Sequence, residues 1–310
     1  MFSTRKLFTN TTFLAIVACL LWSSAFAGVK IGLKYHTPFQ FAGVRFMFSG
    51  IMLILYFNNV RSYWQEVIRN WRFIAVIAGL QTVIQYMFFY SGINLVPASI
   101  AAMITGSSPL FVSVVAHWGM RDDRMDRMKI ISILMGVAGV AVITLGRGHL
   151  PSGVAISLLG IAFLLTNNLI SGWANVLVSK RPSHISPVVL SSASLFFGGI
   201  GLILISIPFE GYGLKAVAPE YFAALIWLSF ISAAAFAIWY TLLQRPGVKV
   251  SQVNMWKFLI PVAGAILSWV LIPGETPDWI SVSGMFVIAV SLLFNSCSNG
   301  SVSRVPKVTE

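Results

Sequence analysis

Long apolar runs alternate with short polar breaks along the chain, and ten runs are long enough to predict a helix each. The expected helices lie near Phe13–Gly32, Pro38–Phe57, Arg72–Ile93, Ala98–Trp118, Lys129–Leu145, Gly153–Val178, Ser186–Pro208, Tyr221–Leu243, Val250–Ile272 and Trp279–Ser296. A membrane-spanning helix needs roughly 20 largely apolar residues. The pattern therefore predicts an all-α integral membrane protein with ten transmembrane helices joined by short connections.

Composition agrees, because 57% hydrophobic against 10% charged in 310 residues leaves too little polar surface for two soluble domains. The net charge of +12 would suggest nucleic acid in a soluble protein. Here, fifteen of the 21 lysines and arginines fall in the amino-terminal tail, in alternate breaks and in the carboxy-terminal tail. That asymmetry predicts both termini in the cytoplasm and a lipid bilayer, with no nucleic acid, as the partner surface. Ala25-Phe26-Ala27, following Arg5 and Lys6, also fits a cleaved signal. The length of the first run, and the repeat it belongs to, favour a retained helix. Cys19 and Cys297 stand far apart with no metal-ligand spacing.

The chain also repeats itself. The run RFMFSGIMLIL from Arg45 aligns without gaps on SLFFGGIGLIL from Ser194, an offset of 149 that pairs Phe48 with Phe197, Gly50 with Gly199 and Pro38 with Pro187. An offset of 152 pairs Pro109 with Pro261, Ser99 with Ser251 and Asp123 with Glu275. Helices one to five thus recur as six to ten, and an odd number per unit turns the second unit over in the membrane. The expected organisation is two inverted five-helix repeats, residues 13–146 and 153–296, between cytoplasmic tails 1–12 and 297–310. Asp123 and Glu275 then fall at opposite mouths, an arrangement suited to a machine with two related conformations.

WSSAFAGVKIGL from Trp22, PFQFAGVRFMFSG from Pro38 and WKFLIPVAGAILSWVLIPGETP from Trp256 resemble the EamA-like family of the drug/metabolite transporter superfamily, and the resemblance runs from about Phe13 to Ser296. The sequence GMRDDRMDR after the fourth helix departs from the family's usual glycine-glutamate ending. The resemblance implies a carrier of small organic metabolites such as amino acids, in a bilayer expected to be a bacterial inner (plasma) membrane, as monomer or homodimer. It also implies a structural or gating role for Arg45.

Polar residues inside a membrane are costly and mark sites. Lys257 lies deep in the ninth helix, with Asn254 one turn back on the same face. Pro261 removes the amide that would bond the Lys257 carbonyl, as Pro109 does for Thr105, so two broken helices should meet near the bundle centre. Gln81, Gln85 and Tyr86 in the third helix, Trp22 in the first, Asn168 in the sixth and Tyr240 in the eighth complete an expected lining for an amphipathic solute. Lys30 reads as a snorkelling residue and Trp71, Trp118 and Trp279 as interface anchors. Gly136 and Gly139 read as close helix packing.

All nine acids, among them Glu66, Glu210, Glu220 and Asp278, fall outside the middle of the spans. That disfavours a carboxylate proton relay and leaves facilitated diffusion or exchange by alternating access as the expected mechanism, exporting or exchanging the solute. With only cations inside the bundle, an anionic or zwitterionic solute is favoured. A proton-coupled multidrug or metabolite exporter is the alternative. A membrane-embedded enzyme is a further one, but His36, His117, His149 and His184 are scattered, and no catalytic, metal or cofactor motif is present.

Overall fold

The computed structural model describes residues 10–57, 59–96, 104–147, 157–180, 185–211, 218–271, 277 and 279–299, and its elements are all helical. In chain order they are α1 (Thr11–Ser23), α2 (Ala25–Gly32), α3 (Pro38–Tyr56), α4 (Val60–Arg69), α5 (Trp71–Ile77), a π-helical segment (Ala78–Ile84) and α6 (Gln85–Leu95). Then follow α7 (Ser108–Gly119), α8 (Arg127–Arg147), α9 (Leu158–Ser179), α10 (Pro187–Glu210) and α11 (Pro219–Leu243). The chain ends with α12 (Val250–Met255), a 3-10 turn (Trp256–Phe258), α13 (Leu259–Leu271) and α14 (Trp279–Asn299). Among the described residues, five helices are long and apolar enough to cross a membrane: α3, the continuous run Trp71–Leu95, α9, α10 and α11.

Large apolar side chains such as Leu55, Leu158, Phe209, Ile226 and Phe286 face outward, while Ser49, Ser132, Asn168, Ser191, Ser229 and Ser251 are buried. A bilayer explains this distribution: lipid accepts the apolar exterior, and polar groups must find partners inside. Many do so on their own helix, as when Ser49 donates to the Arg45 carbonyl at 2.7 Å. Trp71, Trp118 and Trp279 stand exposed at helix ends.

The helices paired by the offset of 149, α3 and α10, pack along their lengths at backbone contact. A methyl group on Gly50 would lie 2.7 Å from the Ser192 carbonyl oxygen, and one on Gly199 would lie 2.7 Å from the Gly43 carbonyl oxygen. The two contacts are reciprocal under the offset, since Gly50 maps to Gly199 and Gly43 to Ser192. The two amino termini are also served alike. Thr37 and Ser186 precede an N1 proline, and neither side chain caps its helix. Instead Glu210 accepts from the Phe39 amide at 3.0 Å and the Gln40 amide at 3.3 Å, and Glu66 accepts from the Ser186 amide. Each carboxylate supplies the acceptor that a helix amino terminus lacks.

Gly139 brings α8 against α14, 2.8 Å from the Gly284 carbonyl if a methyl is added, and Gly136 faces Phe258. The break after the second apolar run holds a helix that hydropathy alone does not reveal. In α4, Tyr63 and Val67 are buried while Arg61, Trp64, Ile68 and Arg69 are exposed. Its spacing of apolar and polar residues gives a two-sided helix too short and too charged to span.

Lys129, one of the bases counted at this end of the first half, is held in a buried ion pair. Its Nζ lies 2.8 Å from Asp123 Oδ1, with Lys129 and Asp123 both buried, and it also donates to the Arg124 carbonyl at 3.0 Å. Asp123 accepts from the Ser251 amide at 2.7 Å and from the Ser251 hydroxyl, thereby capping α12. Ser99, Glu275, Asp278, His149, His184, residues 1–9 and 300–310 of the tails, and the side chains of Lys30 and Cys297 lie outside the described residues.

Candidate functional site

Pro261 has no amide to give the Lys257 carbonyl, and upstream of it the helix tightens into the 3-10 turn Trp256–Phe258. Lys257 sits in that turn, half-buried, with Nζ 4.9 Å from the Trp239 ring centroid and 5.8 Å from that of Trp22. Trp239 is fixed from behind, because its indole Nε1 donates to Asn175 Oδ1 at 2.7 Å and the Asn175 amide donates to the Ser171 carbonyl at 2.6 Å. The Trp22 ring meets Trp239 at 5.1 Å and Phe236 at 5.6 Å, both edge to face. An ammonium over two indole faces gains cation–π attraction of about 2 kcal/mol or more when desolvated. No carboxylate among the described residues pairs with it.

Arg45 occupies the neighbouring wall. It is 4% exposed, and its Cζ lies 4.3 Å from the Phe46 ring centroid and 5.7 Å from that of Tyr86. Phe46 in turn packs on Tyr86 at 4.5 Å and on Phe236 at 6.3 Å, and Phe236 packs on Tyr240 at 6.1 Å. Trp22, Lys257, Tyr240, Arg45 and Tyr86 are therefore brought together around Phe236.

A second polar group forms where the other broken helix passes. The chain turns at Ser107 just before α7, with Pro109 in its first turn, and the Ile104 carbonyl accepts from the Asn168 side chain at 2.6 Å and from the Ser107 hydroxyl at 2.6 Å. Gln81 donates to Gln85 Oε1 at 3.0 Å, within and just after the π segment, and the Asn167 side chain donates to Asn168 Oδ1 at 3.1 Å. Thr105 is half-buried beside this break. A π segment leaves a local mismatch in the backbone ladder and commonly marks functional positions.

Asn254 stands near the end of α12, just before the turn that carries Lys257. It is fully buried, donates to the Val250 carbonyl of its own helix at 2.9 Å, and leaves Oδ1 without a partner. Phe46 and Phe236, which join the two cations, carry no polar signal among 23 phenylalanines, and the sequence did not single them out.

At the end of the molecule near Pro38, His36 Nδ1 lies 2.9 Å from the Tyr221 hydroxyl, and Tyr35 donates to Glu220. Burial pulls the His36 imidazole below its ordinary value, against the weaker opposing pull of Glu210. The hydrogen bond to Glu220 pushes the Tyr35 phenol up.

A helical chain with a lipid-compatible exterior, a polar interior and broken helices around cations that lack carboxylate partners among the described residues has the build of a membrane transport protein. Similarity to known proteins identifies which kind. The sequence profile of the EamA-like transporter family matches residues 9–145 and 158–297, and the chain belongs to that family. It is a membrane transporter and not an enzyme. An uncharacterized transporter of Archaeoglobus fulgidus is 24% identical over 91% of this chain and 96% of its own length. A protein of Salmonella typhimurium named a probable amino-acid metabolite efflux pump is 24% identical over 91% of this chain and 93% of its own length. A crystal structure with 18% sequence identity superposes with a TM-score of 0.81, covering 96% of this chain and 99% of that one, and so shares its fold.

Proposed function

We propose that the protein is an alternating-access carrier that exports or exchanges a small anionic or zwitterionic organic solute across the membrane, by facilitated diffusion or exchange. The observation that carries this reading is Lys257, held half-buried in the 3-10 break between Trp22 and Trp239 with no carboxylate among the described residues to neutralise it. A carboxylate or phosphate group would supply the missing charge, while the indole faces would hold an apolar body. The described carboxylates all lie at helix ends or in connections, so none of them competes for the cation within the bundle. The amino-acid metabolite named for the Salmonella relative falls in the same chemical class.

Ten spans in two inverted halves, 13–146 and 153–296, with both termini cytoplasmic, are the architecture we propose for this carrier. The reciprocal contacts at Gly50 and Gly199 support it, as does a family match in two segments of similar length. Trp22, Thr105, Gln81, Gln85, Tyr86, Asn168 and Tyr240 are proposed as lining. Asn254 supports the helix below the site through its own carbonyl contact.

Counterflow in proteoliposomes tests the proposal. Vesicles preloaded with unlabelled amino acids and carboxylates should accumulate the labelled solute from outside, and Lys257→Gln should reduce the rate at least tenfold while the protein keeps its thermal transition. Equal counterflow by the variant, or preferential uptake of organic cations, would overturn the assignment.

A further inference from the structure

Arg45 is the buried charge that the Lys257 site does not use. A guanidinium normally enters a membrane interior as a helix-to-helix tie or beside a carboxylate. Here the tie between α3 and α11 runs through the Arg45 carbonyl, which accepts from the Ser229 hydroxyl at 3.2 Å. The guanidinium has no carboxylate partner among the described residues, and its Nε is buried without an acceptor. Glu210, at the same end of α3 and α10, is committed to the Phe39 and Gln40 amides. The Tyr240 hydroxyl, one ring away across Phe236, is buried beside Ser194.

We propose that Arg45 is a second anion subsite beside the Lys257 site, and that the solute carries two separate anionic groups, as dicarboxylates and acidic amino acids do. The juxtaposition is specific. One ring, Phe236, touches both Trp22, over which Lys257 sits, and Phe46, over which Arg45 sits, at 5.6 and 6.3 Å. The two cations therefore stand over rings that both meet Phe236, an arrangement that suits a short carbon chain with a charge at each end. A single phosphate would meet only one of them. A monoanion or a simple zwitterion would leave one cation uncompensated in a low-dielectric interior, where an unpaired charge is most costly. A planar guanidinium is also the side chain best shaped to hold a carboxylate by two parallel hydrogen bonds.

The subsite deepens the carrier reading it rests on, and the two are tested separately. Binding of succinate, its mono-amide succinamate and inorganic phosphate to the purified full-length protein is measured by thermal shift, for wild type, Arg45→Gln, Arg45→Lys and Lys257→Gln. Wild type should bind succinate at least tenfold more tightly than succinamate or phosphate. Arg45→Gln should bind succinate and succinamate alike, and Arg45→Lys should keep part of the preference. Equal wild-type affinity for succinate and succinamate, phosphate binding as tight as succinate, no succinate binding, or an unchanged preference in Arg45→Gln overturns the subsite. If Arg45→Gln does not fold, loss of preference in Arg45→Lys supports the subsite and an unchanged preference overturns it. Arg45-dependent succinate binding without counterflow would remove the carrier reading and leave the subsite. Counterflow of a monoanion that needs Lys257 but not Arg45 would do the reverse.

Discussion

Two side chains show how far position alone can be read. Lys257 was visible as a charge inside an apolar run, and an intramembrane cation must face either a partner or a cavity. Its aromatic setting was less visible, because Trp22 and Trp239 come together beneath it only when α11 packs beside α1 and the 3-10 turn. His36 gives a prediction at the same scale. Its folded-state value is lowered from 6.5, chiefly by burial, so the folded protein holds it neutral while the unfolded chain begins to protonate near 6.5. Its contribution is fully present above that value and is lost as pH falls from there to the lowered folded value. Thermal unfolding in detergent should therefore show a lower midpoint at pH 5 than at pH 7.5, and His36→Gln should flatten that dependence.

Helices in this protein are set by length and hydropathy, but their spacing is set by glycine. A side chain on Gly199 would strike the Met47 amide nitrogen at 2.6 Å and the Gly43 carbonyl at 2.7 Å, both of them backbone atoms that cannot turn aside. Gly199→Val should cost about 3 kcal/mol or more, since overpacking a tight contact costs about 1–3 kcal/mol even where side chains can adjust. Gly79, in the π segment, faces open space, with nothing within 4 Å of where a methyl group would stand, and Gly79→Ala should be neutral or slightly stabilising. The thermal midpoints of the two variants check both expectations. The sequence repeat flagged Gly50 and Gly199 as a pair. That they pack against each other's helix follows from the assembled bundle. Amphipathic α4 shows the opposite case. It is fully encoded in Tyr63, Trp64, Val67 and Ile68, yet it is hidden from a hydropathy scan by the arginines and polar residues interleaved with them.

Across the molecule, the first half grips the second at one end through Asp123, which caps α12 at Ser251 and is neutralised by Lys129. Asp123→Ala would strand the Lys129 ammonium in a buried place, and breaking such a pair costs about 3–5 kcal/mol. The double variant Asp123→Ala/Lys129→Met should recover much of that loss in thermal unfolding, because it removes the orphaned charge. Either variant should also speed any conformational change that separates α12 from the 120–126 segment, readable as faster exchange in counterflow.

By itself the sequence determined that this chain enters a membrane, that it is helical and that it belongs with EamA-like transporters. Each of these depends on local quantities: hydropathy per window, period, and motifs within single helices. It also pointed to Lys257, Arg45 and the two prolines, because charge and missing amides are conspicuous in apolar runs. Only the tertiary structure decided that Asn254 donates to the Val250 carbonyl, that Lys129 is paired with Asp123, and that Arg45 and Lys257 stand over rings that meet at Phe236. Those outcomes depend on which faces of distant helices meet, which no local quantity in the sequence fixes.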